Sequence, residues 1–548
     1  MATTVQLART PRGTFAFVPK PQLHTRVWAS EGSRLTFPEM EPGVLPPKRN
    51  SAICFSGGGM VSLAATVGQL RGLAHLGLLG EVRYMSAVSG GARAAITYAY
   101  YRRGPANDEE LLGPITPPAV LDFVRLRRLE RGNLGFLATR DPTATMIRLV
   151  SKHVPSEQLW NRAAGLEYLE PYGLYDATEP ACFSLDERTV DEVKSRNSAL
   201  ATSPFYIVRS SPPRPYLVVQ ASFLVPTALS PYKRARPVAC EFTPLYVGDP
   251  FATNVNYESE TGEKETVLVG GGYVEPFAFG SAAPSAPVEE GTVGVEPPPQ
   301  RFTLADVSGA TTASFAVARN NYWGSLSPQW LYWPVTPDGN VPTTRFNFGD
   351  GGAVERYGLI SMLRRGVENL VVFINTGTRL RIDYDPSGPP GADDIEPNLP
   401  SLFGVPNSFS PYNRVFDSTE FAPLVRALQS ARRAGKTVVA RTELVTVHNE
   451  WWGLEGGHHV QILWVYNERV PDWERHIRKQ TGIPTAIDAG NERLASGPFR
   501  RFPNYLVYGQ NTPGSVALTR EQINLLADLS CWNVTSNAKT FSAGLGAD

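Results

Sequence analysis

No run of about 18 consecutive apolar residues, the length that crosses a bilayer as a helix, occurs in this chain of 548 residues. The most apolar segment, Val61 to Leu79, is broken by Gln69, Arg71 and His75. The opening MATTVQLARTPRG lacks a charged start followed by an apolar core, so no secretory leader is expected. Cysteine is scarce. Cys54, Cys182, Cys240 and Cys531 are scattered without CxxC spacing, which speaks against a disulfide framework or a zinc site and for buried free thiols. Net charge is missing too: 52 Lys+Arg balance 52 Asp+Glu, so no basic field exists to hold a phosphate backbone and nucleic acid is not an expected partner. The 7 histidines form no HExxH. His448, His458 and His459, near Glu450 and Glu455, read as a hairpin loop rather than a metal set. These absences point to a soluble, cytoplasmic protein. Its 42% hydrophobic and 10% aromatic content suits a large core. Its length allows two to four ordinary domains or one elaborated α/β domain.

What is present is concentrated between residues 51 and 103. SAICFS reads as a buried strand ending at Gly57-Gly58-Gly59. Apolar residues at Leu63, Val67, Leu70, Leu73, Ala74 and Leu78 then predict a helix over Met60 to Leu79, stopped by Gly77 and Gly80. A second strand, Val82 to Val88, runs into Ser89-Gly90-Gly91, and a second helix is predicted over Ala92 to Tyr101. Strand, turn, helix, twice over, is the pattern of a parallel α/β sheet. The glycines free successive N–H groups to converge on an anion at a helix start. Ala87-Val88-Ser89-Gly90-Gly91 is a G-x-S-x-G nucleophile elbow with Ala in the first glycine position. Taken alone, Ser89 is simply a helix N-cap.

SGGG, a helix and SAVSGGA resemble the patatin and cytosolic phospholipase A2 group of lipid acyl hydrolases. That resemblance implies an Asp-Gly-Gly farther on, after a strand and before a helix. Gly349-Asp350-Gly351-Gly352 is there, followed by ERYGLISMLRRGVENLVVFIN, similar to the family's helix and returning strand. The resemblance implies a Ser89–Asp350 dyad, an oxyanion hole made by the amides of Gly57, Gly58 and Gly59, and no metal or cofactor in the chemical step. The chain departs from the family in two places. Met60-Val61-Ser62 replaces the Arg or Lys that follows the glycine run, and Ala353 and Arg356 stand where bacterial members often carry Asn and His. Arg93, one turn after Ser89, is the candidate substitute for the missing cation; a structural salt bridge is its plainer reading. A nucleotide cradle is a weak competitor, because no Lys-[Ser/Thr] or G-x-G-x-x-G accompanies the glycines.

Elsewhere, residues 1–50 read as an N-terminal arm and 51–548 as one catalytic domain. Residues 104–200 read as a helical, cap-like insertion. Within it the Arg-rich segment Leu121 to Arg131 is either a lipid-facing or, more plainly, a solvated helix face. Residues 204–275 turn to strands, and Gly270-Gly271-Gly272 reads as a turn or bulge. Residues 277–300 read as a flexible loop, 302–318 as a helix, 320–335 as an aromatic run and 381–413 as a long loop. Phe416 to Arg433 reads as a helix, Lys436 to Val447 and His459 to Tyr466 as strands, and Thr519 to Leu529 as a final helix. The expected fold is thus α/β: a three-layer α/β/α patatin-like core with a mainly parallel sheet, an inserted cap and extra β elements. The expected function is hydrolysis of fatty acyl esters of phospholipids or lysophospholipids, with a lipid substrate, peripheral membrane contact and an oligomeric state left open. The alternative is a non-catalytic lipid-binding or interaction protein on the same scaffold.

Overall fold

Five parallel strands form the middle of the sheet, in the spatial order Tyr216–Pro226, Val82–Val88, Arg49–Phe55, Asn369–Ile374 and His459–Tyr466. They read as nearly unbroken apolar runs because both faces are covered. Alternate residues of one strand enter different cores: Ile53 and Phe55 join the cluster under the helices Gly59–His75, Ser89–Tyr100 and Arg520–Thr535. Ala52 and Cys54 join the cluster under Leu359–Arg364 and Phe421–Arg433. The result is a three-layer α/β/α core. Antiparallel strands extend it at both ends to a sheet of 13 strands. The computed structural model describes residues 22–30, 36–102, 108–229, 236–258, 261–284, 291–317, 326–336, 341–406, 412–492, 496–507 and 516–547, together with the backbone of the hairpin Gln6–Arg9 and Phe15–Val18. All four cysteines are buried and free.

Most elements fall where periodicity places them, with differences that have physical reasons. The first helix ends at His75, not Leu79, because Gly77 turns left-handed at φ 70°. The second begins at Ser89 itself and ends at Tyr100. Ser156–Ala164 continues as a π-helical turn over Gly165–Leu169. Phe421–Arg433 starts five residues later than expected, and the last predicted helix extends to Thr535. The N-terminal arm is not peripheral. Leu23–Ala29 pairs with Gly272–Val274 on one side and Thr292–Val295 on the other. Its Leu23, Thr25 and Val27 are buried while His24 and Arg26 are exposed, a period-2 signal hidden among prolines and charges.

The stretch 277–300 is likewise no loose loop at its ends. Phe277, Phe279 and Ser281 are buried, and Thr292–Val295 is the edge strand just named; residues 285–290 of it lie outside the described residues. Part of the aromatic run (320–325) and part of the long loop (407–411) lie outside them too. The Arg-rich segment forms a short helix, Phe123–Arg127, that packs on the helix Arg520–Thr535. There Arg127 meets Glu521 at 2.9 Å and Asn524 binds the Leu126 carbonyl at 2.9 Å.

The layer behind the sheet is tied by buried charge. Arg365, with a fully buried side chain, donates to Glu39 and Glu241, both at 2.8 Å, and to the Tyr246 hydroxyl at 2.7 Å. Burial pushes the Glu241 carboxyl up, but Arg365, Arg364 and the Ser361 hydroxyl outweigh it and hold it down to about 2. That stabilisation is present above the ordinary glutamate pKa and is lost as pH falls towards 2. Arg365→Met leaves buried Glu39 without its ion-pair partner and takes one of two arginines from Glu241, and the expected cost is about 3–5 kcal/mol at neutral pH. Chemical denaturation at pH 7 should show that loss; a change under about 1 kcal/mol contradicts the account.

Candidate active site

The long strand Tyr216–Pro226 explains how residues 261 apart in sequence meet. Along one edge its first half pairs parallel with Val82–Val88, as far as Val88 opposite Gln220. Along the same edge its second half pairs antiparallel with Thr344–Asp350, as far as Asp350 opposite Ala221. Two strands therefore run towards each other and stop at adjacent residues of a shared neighbour. Ser89 follows the end of one and Asp350 is the end of the other. The Ser89 hydroxyl donates to Asp350 Oδ2 at 2.7 Å.

Both ends of this contact are held. Ser89 sits in the left-handed region at φ 51°, a conformation that costs a non-glycine residue roughly 1–3 kcal/mol and persists only when neighbours over-determine it. Here the neighbours are Thr311 and Gln220. The Ser89 amide donates to Thr311 Oγ1 at 3.0 Å, and that hydroxyl donates to the Gln220 carbonyl at 2.5 Å. The following residue has to be small: a Cβ on Gly90 would stand 1.9 Å from the Gly59 carbonyl oxygen. Asp350 accepts the Gly352 amide on Oδ1 at 2.8 Å, and the Ser222 hydroxyl binds its carbonyl at 3.1 Å. One carboxylate oxygen is thus fixed by backbone, which aims the other at the serine.

The glycine run follows Arg49–Phe55, the strand that pairs with Val82–Val88, and so lies beside the serine. Its three amides are not equivalent. Gly57 N–H is committed to the Arg356 carbonyl at 2.8 Å, which corrects the expectation that all three glycines offer free donors. No acceptor for the amides of Gly58 and Gly59 is found among the described residues. Gly58 adopts φ 147°, and a Cβ there would come within 2.5 Å of the Asn375 carbonyl oxygen, so only glycine fits. Its neighbour Gly59 opens a helix of 17 residues, whose dipole favours negative charge at this end.

Burial raises the Asp350 carboxyl above the usual aspartate range, while the Ser89 hydroxyl, the Gly352 amide and the charges of Arg356 and Arg93 pull it partly back. The two arginines differ. Arg356 comes from the turn after Asp350-Gly351-Gly352; its Nε lies 3.3 Å from Glu396 Oε1, and its Nη2 would be 3.5 Å from a Cβ on Gly58. Arg93 is buried on the serine helix over the Tyr168 ring, at 4.1 Å. The salt bridge considered for it is not found among the described residues.

Thr311, Gln220 and the position of Arg356 were not legible beforehand. Thr311 belongs to Leu304–Thr311, a small-residue helix whose hydroxyl has no motif around it; its use depends on a carbonyl contributed by another strand. His75, by contrast, lies in the last turn of the first helix; His448 and His458 lie on the connection between Val439–Val445 and His459–Tyr466, and His459 opens the second of these strands.

No protein-family model matches the chain, and no curated protein matches it. Among solved structures it is similar to human GIVD cytosolic phospholipase A2, with 13% identity, a TM-score of 0.44, and coverage of 99% of this chain and 69% of that one. It is also similar to that human protein in complex with methyl gamma-linolenyl fluorophosphonate inhibitor and terbium chloride, with 14% identity, a TM-score of 0.41, and coverage of 90% of this chain. This chain spans 59% of the length of that second match. At such identities and scores the likeness carries no argument about activity.

Because burial favours the neutral form of Asp350, its ionisation opposes folding. The stability associated with the neutral acid is full below the unfolded aspartate pKa and is lost as pH rises through the raised folded value. Asp350→Asn removes that loss. Its melting temperature should equal or exceed that of the wild type at pH 7, with the gap closing as pH falls towards about 4. A variant less stable at pH 7 than at pH 4, relative to wild type, would contradict the sign.

Proposed function

We propose that this protein is a serine acyl hydrolase acting on fatty acyl esters, with Ser89 as nucleophile and Asp350 as general base. The observation that carries the reading is the 2.7 Å hydrogen bond from a serine held at positive φ to a buried carboxylate of raised pKa. A serine hydroxyl is a weak nucleophile until a base takes its proton. In its ionised form Asp350 is within reach and has its second oxygen occupied by Gly352 N–H, so the proton goes to Oδ2. As Ser89 Oγ attacks the ester carbonyl, the oxygen that gains charge is met by the free amides of Gly58 and Gly59. One such donor is typically worth about 10²–10³ in rate. The proton on Asp350 passes to the leaving alcohol. The regenerated carboxylate then activates a water, which releases the fatty acid from Ser89.

Two further features support a lipid ester. The dyad adjoins an apolar cluster of Met146, Leu149, Leu159, Trp160 and Phe315, reached through Ala313, whose carbonyl accepts the Asp350 amide at 3.3 Å. Next, the cap helix Thr143–Ser151 leaves Ile147 and Val150 exposed at 67% and 57%, beside exposed Arg148 and Lys152. That pairing suits peripheral contact with an anionic lipid surface. No described helix is long and apolar enough to cross a membrane. Phospholipids and lysophospholipids are the proposed esters.

An alkyl fluorophosphonate should label the wild type stoichiometrically and leave Ser89→Ala unlabelled. A folded wild type that stays unlabelled at millimolar probe would favour a non-catalytic lipid-binding protein. The rate should also report the base: kcat/KM is expected to rise with pH through one ionisation above the ordinary aspartate value of about 3.9. A profile that is flat from pH 4 to pH 8 would remove Asp350 from the role.

A further inference from the structure

The serine helix buries a guanidinium that has no ion-pair partner among the described residues, although its charge acts on the Asp350 carboxyl. Other buried arginines sit on carboxylates: Arg71 on Asp528 at 2.8 Å, Arg214 on Asp108 at 2.6 Å, Arg364 on Asp249 at 2.8 Å and Arg365 on Glu39 and Glu241. Arg93 is 3% exposed. It has no carboxylate in ion-pair reach among the described residues. Its Nη1 points at Met60 Sδ at 3.8 Å, a weak acceptor, and its Nε has no hydrogen-bond partner. What holds it are ring faces from the cap, Tyr168 at 4.1 Å and Trp160 at 5.8 Å. A guanidinium carries five donors, and burying its charge without an anion is costly even against aromatic faces.

Its location narrows the use. Arg93 lies one turn beyond Ser89. Met60, which it touches, is the second residue of the helix that Gly59 opens. The unpaired charge therefore lies where the positive end of that helix and the free glycine amides already favour an anion. Arg356 is less available, because Glu396 partly neutralises it.

We propose that Arg93 is an anion-binding residue of the acyl site, taking an oxyanion carried by the lipid close to the scissile ester. The shared chemistry is a phosphate ester of a headgroup or the carboxylate of a released fatty acid. The guanidinium lies between the rings of Tyr168 and Trp160 and the serine helix that carries it. The assignment rests on the acyl-site reading above, but its test needs no turnover.

The full chain carrying Ser89→Ala is titrated, below the aggregation threshold of each lipid, with 1-O-hexadecylglycerol 3-phosphate and with uncharged 1-O-hexadecylglycerol. Palmitate and hexadecanol form the second pair. Binding is expected to favour the anionic member of at least one pair by tenfold or more, the size of one hydrogen bond to a charged group. The pair that shows the preference identifies the source of the anion. In Ser89→Ala/Arg93→Gln the preference should fall to within about twofold, and Arg93→Lys should keep part of it. If the Gln variant fails to melt cooperatively, Arg93→Met, which retains the apolar stem beside Tyr168, takes its place. Equal affinities within both pairs, or a preference that survives Arg93→Gln and Arg93→Met, overturn the proposal. Fluorophosphonate labelling with no anion preference would leave the hydrolase standing without this site. An Arg93-dependent preference in an unlabelled protein would do the reverse.

Discussion

One strand edge, shared end to end by two others, is the constraint on which this molecule depends. Val82–Val88 and Thr344–Asp350 approach along the same side of Tyr216–Pro226 and stop at Gln220 and Ala221. Neither strand can advance without displacing the other, so each presents its terminal residue at one point. Backbone hydrogen bonds on a pleated sheet define that point far more tightly than flexible side chains do. The serine–aspartate distance is therefore a consequence of register. A one-residue slip in either pairing would turn a side chain to the opposite face and part the two groups.

The shared strand is itself braced. Its Gln220 side chain donates to Ser361, which donates to Glu241 at 2.6 Å, and Glu241 is held by Arg365. On the other face the Gln220 carbonyl receives Thr311, which holds the serine amide. A chain of buried polar contacts thus runs from the ion pairs of the rear layer to the serine. Such networks rigidify when every member is satisfied. Asp350 is treated differently: it is buried, bonded on both oxygens, and still left with a raised pKa. A carboxylate that is costly to ionise in place has a stronger hold on a proton than an exposed one, which suits a base.

Charge near the site is arranged in the same unequal way. The cations close to Ser89 and Asp350 do not come from the helix that follows the glycine run, where Met60, Val61 and Ser62 stand. They come from the serine helix and from the turn after Asp350. Arg356 reaches the glycine loop by a backbone carbonyl, which binds the Gly57 amide, while the amides of Gly58 and Gly59 meet no acceptor among the described residues. Sequence order places the charges poorly, because their positions depend on which loops the sheet brings to its carboxyl edge.

Local chemistry, legible along the chain, determined the strands and helices around residues 51–103, the glycine run, the serine turn and the Asp-Gly-Gly turn. These are effects of neighbours a few residues apart: apolar periods of 2 and 3.6, and glycines where the backbone must turn left. The N-terminal strand Leu23–Ala29 and the edge strand Thr292–Val295 are not legible along the chain, because their apolar residues sit among prolines, charges and small residues and their pairing comes from each other and from Gly272–Val274. Only tertiary structure decided that Thr311 and Gln220 hold the serine, that Gly57 has no amide to spare, and that Arg93 has no ion-pair partner among the described residues. Each of these depends on which distant backbone or side chain occupies a few ångströms of space, and no spacing along a chain encodes that distance.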